Sequence, residues 1–499
     1  MKKYFTKKGI EGSIYNYLGQ FGSSLFKSLI LVYVIKKLSV ESFGIYNLLI
    51  NILTVGLIFS SFGLPQTIER YIPEFRSKNE SNKIKNLFSA SIFLRLSLGI
   101  VFVLIINIFR NELSSILGSS DKLTKLIPLF SLVILVNIEN QLLGDSFLLA
   151  NLMHKYWNTV RISYFAIKFC LFFLVLNKGL NLYWIVLAWA FSEITLFILY
   201  LFKTTPWISL GAINFQIFNK RILRFMYISF LIVIGNITRQ ITVDNLLISH
   251  YLGIKQVGLY SFIFGIPLIL LEWSPAKIFK NLFLPIFIRR YTQTDDKGML
   301  ERMFTFYNKV IFFLTLPMFI GVAILSKPII QIVFDSSYLE INHLFRIALI
   351  FIFIRAFIYP FEVVLRTIEK INIMLLATLF TVYNISLGMI LIPRLGMTGA
   401  LIASGSTGVF ILLFYKTRVS RFLRTEYQFG AFLKILINTI LMGIFLFTVK
   451  SYATNLWYLL IIMFLGALLF LAASNLNKCF SREERKIINE AIGRKVFVF

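Results

Sequence analysis

Residues 227–260 read YISFLIVIGNITRQITVDNLLISHYLGIKQVGLY, and the reading of this stretch decides the fold. Its first two-thirds is apolar and long enough to cross a bilayer, which takes ~20 mostly apolar residues. It nevertheless carries Asn236, Arg239, Gln240 and Asp244. On a continuous helix these residues share one face. A charge at bilayer depth costs at least ~2.5 kcal/mol, so that face is expected to meet protein or water rather than lipid. The end of the stretch, Leu252-Gly-Ile-Lys-Gln-Val-Gly258-Leu-Tyr260, echoes Leu38-Ser-Val-Glu-Ser-Phe-Gly44-Ile-Tyr46. The stretch therefore opens a second copy of something that begins near the N-terminus.

Composition agrees with a membrane chain. Hydrophobic residues make up 58% and charged residues 15%, and mean hydropathy is +0.78. Soluble domains lie nearer ~45–50% apolar and ~25% charged. The formal net charge of +28 would suggest nucleic acid in a soluble chain. Here the Lys and Arg cluster between apolar spans, so membrane topology accounts for them and no nucleic-acid partner is expected. Cys170 and Cys479 form no disulfide framework. His154, His250 and His343 lack metal-ligand spacing, so no metal site is expected. No Gly-rich loop ends in Lys-Ser or Lys-Thr, so the chain lacks an ATP motor of its own, and no cofactor is expected. Lys2, Lys3, Lys7 and Lys8 precede an apolar stretch that is too long for a signal peptide and contains Gln20 and Lys27. It reads as a retained first helix.

The pattern gives an all-α integral membrane protein with about 14 transmembrane helices. The first covers 14–35, the seventh 225–251, the eighth 257–284 and the tenth 339–365. Basic residues alternate from one side to the other. Arg70, Arg76 and Lys78 follow the second span, Lys220, Arg221 and Arg224 precede the seventh, and Arg418, Arg421 and Arg424 follow the twelfth. By the positive-inside rule both termini are expected in the cytoplasm. A second echo supports a repeat: Leu64-Pro-Gln-Thr-Ile-Glu-Arg70-Tyr71 ends the second span and Leu284-Pro-Ile-Phe-Ile-Arg-Arg290-Tyr291 the eighth. Six spans per copy make the copies parallel, with substrate expected between them near the midplane. The expected organisation is two parallel six-helix lobes plus two C-terminal helices: 1–219, 220–425, and 426–499 with its basic tail.

The charges set inside spans are mostly cations. Gln20 and Lys27 belong to a polar face of the first helix that matches the face of Asn236, Arg239 and Gln240 in its repeat partner. Arg95, Lys168 and Arg355 lie well inside the third, fifth and tenth spans. Fixed positive charge in a hydrated cavity attracts an anion, and Arg grips phosphate bidentately. These eight residues are the candidate substrate contacts, for a ligand bearing phosphate or diphosphate. Embedded acids are fewer. Asp244, Glu139 and Glu362 are candidates to carry a coupling ion, H+ or Na+, and equally to serve as fixed partners of nearby bases. Pro267, Pro317 and Pro360 stand where helices are expected to bend. No residue set reads as catalytic.

The pattern Leu38-Ser-Val-Glu-Ser-Phe-Gly-Ile-Tyr46 resembles the polysaccharide-export flippases of the multidrug/oligosaccharidyl-lipid/polysaccharide superfamily. So do Gly63-Leu-Pro65 with Arg70-Tyr71, Asp244 before Leu252-Gly, and Pro393-Arg-Leu-Gly396-Met-Thr-Gly399-Ala400. The resemblance implies a transporter, not an enzyme, that moves a polyprenyl-diphosphate-linked oligosaccharide repeat unit, such as an O-antigen unit, to the outer leaflet. It implies alternating access through a cationic central cavity, membrane lipids around the polyprenyl tail, and a glycan polymerase as a partner. Three other functions stay open at this level. They are a peptidoglycan lipid-precursor flippase, a cation-coupled drug exporter, and a membrane glycan polymerase. The exporter would favour acids over bases in the cavity, and the polymerase would require a long outer loop.

Overall fold

The computed structural model describes residues 2–118, 121–209, 211, 213–235, 237, 241–274, 287, 291, 296–424, 429–482, 484 and 485. For residues 2–18, Gln20 and Trp273 it describes the backbone alone. Among the described residues the chain is helical and contains no strand, as the hydropathy pattern requires. Twelve helices among the described residues are long and apolar enough to cross a membrane. The other two expected spans fall on the first helix and on the segment quoted above.

In the N-terminal half the helices are α1 Lys2–Lys37, α2 Val40–Ser61, α3 Leu64–Ser77, α4 Ser81–Ile108 and α5 Arg110–Ile116. They continue with α6 Asp121–Asn140, α7 His154–Asn177, α8 Leu182–Thr204, α9 Lys220–Gly235, α10 Thr242–Leu252 and α11 Ile254–Trp273. Local chemistry sets several starts. Ser39 Oγ accepts from Ser42 N at 3.2 Å and caps α2. Asn181 Oδ1 accepts from Tyr183 N at 3.1 Å and caps α8. Each satisfies one of the free N–H groups of a first helical turn. Between α2 and α3 the chain turns through Phe62 at φ 42° and Gly63 at φ 75°, and Pro65 follows in the first turn of α3, where its missing N–H costs nothing.

Within the expected seventh span, 225–251, the described helices are α9, to Gly235, and α10, from Thr242. Two elements depart from simple spans. The tenth span is two helices, Asn342–Ala356 and Ile358–Thr367. Pro360 sits in the first turn of the second, where it removes a donor to the preceding turn. Pro267 and Pro317 lie inside continuous helices. The second departure had no sequence signal that was recognised: α6 passes into an eight-residue π-helix, Gln141–Leu148.

Packing divides the chain into two compact units, Met1–Gly258 and Leu259–Phe499. In the first, α1 lies on α7, α6 on α8 and α4, and α9 and α10 pack against α2. In the second, α12 (Lys297–Ile324) lies against Phe429–Val449, which packs on Leu456–Asn477, and Phe380–Leu395 pairs with Met397–Val419. Large apolar side chains such as Phe202, Ile444, Trp457 and Phe464 are exposed, as a lipid-facing surface requires.

Candidate functional site

The first unit holds two buried polar centres. Arg95 on α4 is fully buried, at 0% exposure, and Glu139 on α6 is 5% exposed. The two interact electrostatically. Arg95 Nη2 donates to Gln141 Oε1, at the first residue of the π-helix. Arg95 Nε and Nη1, and both carboxylate oxygens of Glu139, have no hydrogen-bond partner. Four residues beyond Gln141, Asp145 accepts from Trp157 Nε1 at 3.0 Å and lies 3.9 Å from Arg161.

The second centre joins α7, α8 and the end of α6. Glu193 accepts from Tyr164 Oη at 2.5 Å, Trp189 Nε1 at 3.0 Å and Asn140 Nδ2 at 3.0 Å. Lys168 Nζ donates to Tyr164 Oη at 3.2 Å and lies 3.9 Å from the centroid of the Trp189 ring. Lys168 is 6% and Glu193 1% exposed. An ammonium over an aromatic face beside a fully hydrogen-bonded carboxylate is a well-compensated buried charge. Lys27 on α1 feels the Lys168 charge and sits 4.7 Å from the centroid of Phe165. The structure thus brings Lys27 and Lys168 together on facing helices, and Arg95 and Glu139 together on another pair.

The other candidates lie on other elements. Asp244 on α10 is buried at 3%. In the second unit Glu362 is 2% exposed and lies, with Tyr359, near Tyr307. Arg355 ends the helix Asn342–Ala356, and its stem passes Gly408, 3.9 Å from where a Cβ would stand. The Gln20 side chain, and the residues Asn236, Arg239 and Gln240, lie outside the described residues, as does most of the second echo, at 284–290. Tyr164, Trp189, Asn140 and Gln141 were not singled out from sequence. Two of them had a signal: Tyr164 stands four residues before Lys168 and Trp189 four before Glu193, the spacing at which helical side chains meet.

The Leu38–Tyr46 motif and its echo meet within the first unit. A Cβ on Gly44 would stand 2.3 Å from Ile254 O, and a Cβ on Gly258 would stand 2.1 Å from Val40 O. Val40 and Ile254 hold the same place in the two motifs, as do Gly44 and Gly258. Residue i of one copy thus touches residue j of the other, and j touches i. That reciprocity is the signature of a two-fold contact. Near the opposite end of α2, Glu74 on α3 binds Arg221 on α9 through both oxygens at 3.1 Å. It also takes Lys78 at 3.1 Å and Arg70 at 3.3 Å.

The twelve apolar spans and the charges packed among them define a multi-pass membrane protein. The family model for polysaccharide biosynthesis proteins matches residues 10–273, and the chain belongs to that family. A comparison with curated proteins gave no match. Among solved structures that share the fold is the lipid II flippase MurJ in its inward closed conformation. It is 17% identical, with a TM-score of 0.71, and the match covers 97% of this chain and 100% of that one. An inward-facing multidrug-resistance MATE family transporter of the MOP superfamily is 16% identical, with a TM-score of 0.67, over 80% of this chain and 95% of that one. A MOP superfamily transporter from Pyrococcus furiosus, described by the reverse polarity of its binding pocket, is 14% identical, with a TM-score of 0.57, over 83% of this chain and 96% of that one. The family resemblance and the all-α membrane fold expected from the sequence are borne out.

Proposed function

We propose that the chain is a flippase, not an enzyme, that carries a polyprenyl-diphosphate-linked oligosaccharide repeat unit across the plasma membrane. Membership of the polysaccharide biosynthesis family carries this proposal. The cations set within spans support the choice of cargo, because a diphosphate needs fixed positive charge where water is scarce. The head group would enter a cationic central cavity and be attracted by Lys27, Arg239 and Arg355, with Gln20, Asn236 and Gln240 as polar contacts, while Lys168, enclosed by Trp189 and Tyr164, would add its charge to the field without touching the cargo. The polyprenyl tail stays in membrane lipid while access alternates. On this proposal both termini lie in the cytoplasm and the repeats divide near 220 and 426. Asp244, Glu139 and Glu362 are the candidates for coupling to H+ or Na+, and a glycan polymerase is the proposed receiver of the cargo.

The test is a lipid extract from cells lacking the protein. A polyprenyl-diphosphate oligosaccharide should accumulate with its head group inaccessible from outside. Wild type should reverse this, and Arg239→Ala at equal expression should not. Reversal by both would remove Arg239 as a substrate contact, and no accumulation with unchanged surface glycan would overturn the flippase. The full-length fold match to the lipid II flippase supplies a second candidate cargo, the peptidoglycan lipid precursor. The same extract separates the two by which polyprenyl diphosphate builds up.

A further inference from the structure

The π-helix Gln141–Leu148 packs among α3, α7 and α8 and carries an open polar surface that gripping a diphosphate does not call for. The Asp145 side chain, on the π-helix, is 47% exposed, and that of Arg161, on α7, is 27% exposed. Both residues lie within apolar spans. A charge open to lipid there would be costly, so this surface faces water. Glu69 on α3 is also exposed and interacts electrostatically with Asp145 and with the Ser146 hydroxyl. Tyr200 on α8 feels the charges of Asp145 and Arg161. Its ring lies so close to the π-helix that a Cβ on Gly144 would stand 2.2 Å from it. Such wide turns recur at functional sites.

Tying helices together leaves much of this chemistry unused. Asp145 and Arg161 stand 3.9 Å apart, too far for a hydrogen bond. Asp145 takes a donor from Trp157 Nε1, and the Arg161 guanidinium is held over the Trp157 ring, 4.5 Å from its centroid. Ser146 is 1% exposed and Arg95 0%, yet Ser146 Oγ and Arg95 Nε and Nη1 have no hydrogen-bond partner, and Arg95 feels the Asp145 charge. Unused donors and unused acceptors thus stand near one another. The two acids, Glu69 and Asp145, balance the two guanidinium groups, Arg95 and Arg161. An anion would be repelled by the first pair and a cation by the second. A hydroxyl group both donates and accepts, so adjacent hydroxyls on a neutral molecule suit this mixture.

We propose that this surface is a sugar-binding subsite. Asp145 and Glu69 accept from adjacent hydroxyls of a neutral pyranose, Arg161 donates to the hydroxyl oxygens, and Arg95 supplies balancing charge from the interior. The subsite reads the glycan, a task distinct from the attraction of the diphosphate by Lys27. That the sugar belongs to a lipid-linked cargo rests on the flippase reading. Binding of a free sugar does not.

The experiment places the full chain in phospholipid nanodiscs free of glycolipid and records saturation-transfer NMR with glucose, galactose, mannose and N-acetylglucosamine. Each carries adjacent ring hydroxyls, so ring-proton signals should appear for at least one of them. Asp145→Asn should weaken binding about tenfold, the worth of one charge-assisted hydrogen bond. Asn keeps an oxygen for the Trp157 indole, so the fold should hold. Glu69→Gln, at an exposed position, and Arg161→Lys should each weaken binding as well. Glu80→Gln, which removes an acid paired with Lys83 at 2.8 Å, should leave it unchanged. Inorganic diphosphate and tetramethylammonium should not displace the sugar. No ring-proton signal from any of the four sugars, binding that survives both Asp145→Asn and Glu69→Gln, or displacement by either ion overturns the subsite. Sugar binding by a protein whose loss causes no lipid accumulation would refute the flippase and keep the subsite in a carrier of another saccharide. Lipid accumulation without sugar binding would refute the subsite alone.

Discussion

At the scale of single residues, the two buried centres of the first unit differ in how well their charges are satisfied. Glu193 accepts from Tyr164, Trp189 and Asn140. Removing it would strand three donors and a buried Lys168. Glu193→Leu is expected to cost about 3–5 kcal/mol, the usual result of leaving a buried charge without its partner. Lys168→Met should cost clearly less, because Glu193 keeps its three donors. Thermal unfolding of the purified protein in detergent checks the ranking, and equal losses would contradict it. Glu74 obeys a different rule, at a half-buried position outside the spans. Hydrogen bonds from Arg221 and Lys78 hold its carboxyl below the usual carboxylate range. A carboxyl depressed in the folded state contributes stability that is fully present above its unfolded value and lost as pH falls through the folded one. The difference in stability between wild type and Glu74→Gln should therefore close on acidification, and a difference independent of pH would exclude this account.

At the scale of elements, close approach and interruption matter more than helix length. Gly44 and Gly258 let the N-terminal ends of α2 and α11 touch backbone to backbone, so even a methyl group would press on a carbonyl oxygen. Gly44→Ala and Gly258→Ala should each destabilise the protein. The double variant should cost less than the two together, because both substitutions open one contact and residues in contact do not add. Gly265, also on α11, has open space around it. Gly265→Ala should be neutral or stabilising by up to ~1 kcal/mol through helix propensity. Unfolding midpoints of the four variants test this, and additive losses at the Gly44–Gly258 contact would remove the reciprocal arrangement. The tandem echo of the two motifs was legible because they repeat as sequence. Their touching was not, since it depends on how α2 and α11 pack within the first unit. The π-helix was equally hidden: Gln141–Leu148 has an ordinary apolar pattern, and the wider turn shows only in which backbone groups pair.

At the scale of the whole molecule, the accumulation of a lipid-linked glycan in cells lacking the protein is the outcome that matters. No single side chain decides it. Twelve helices among the described residues, long and apolar enough to span a bilayer, and a family match across residues 10–273 define what kind of molecule this is. Its cargo is a matter for the extract. Hydropathy is additive along the chain and nearly blind to tertiary context, so fold class and family were settled by the sequence alone. The fate of each embedded charge was not. Lys168 and Arg95 look alike as cations in the middle of apolar spans, yet one is enclosed by an aromatic ring and a satisfied carboxylate while the other faces a bare one. Which helices meet, and at what rotation, sets that difference, because a buried charge is governed by partners that lie tens of residues away in the chain.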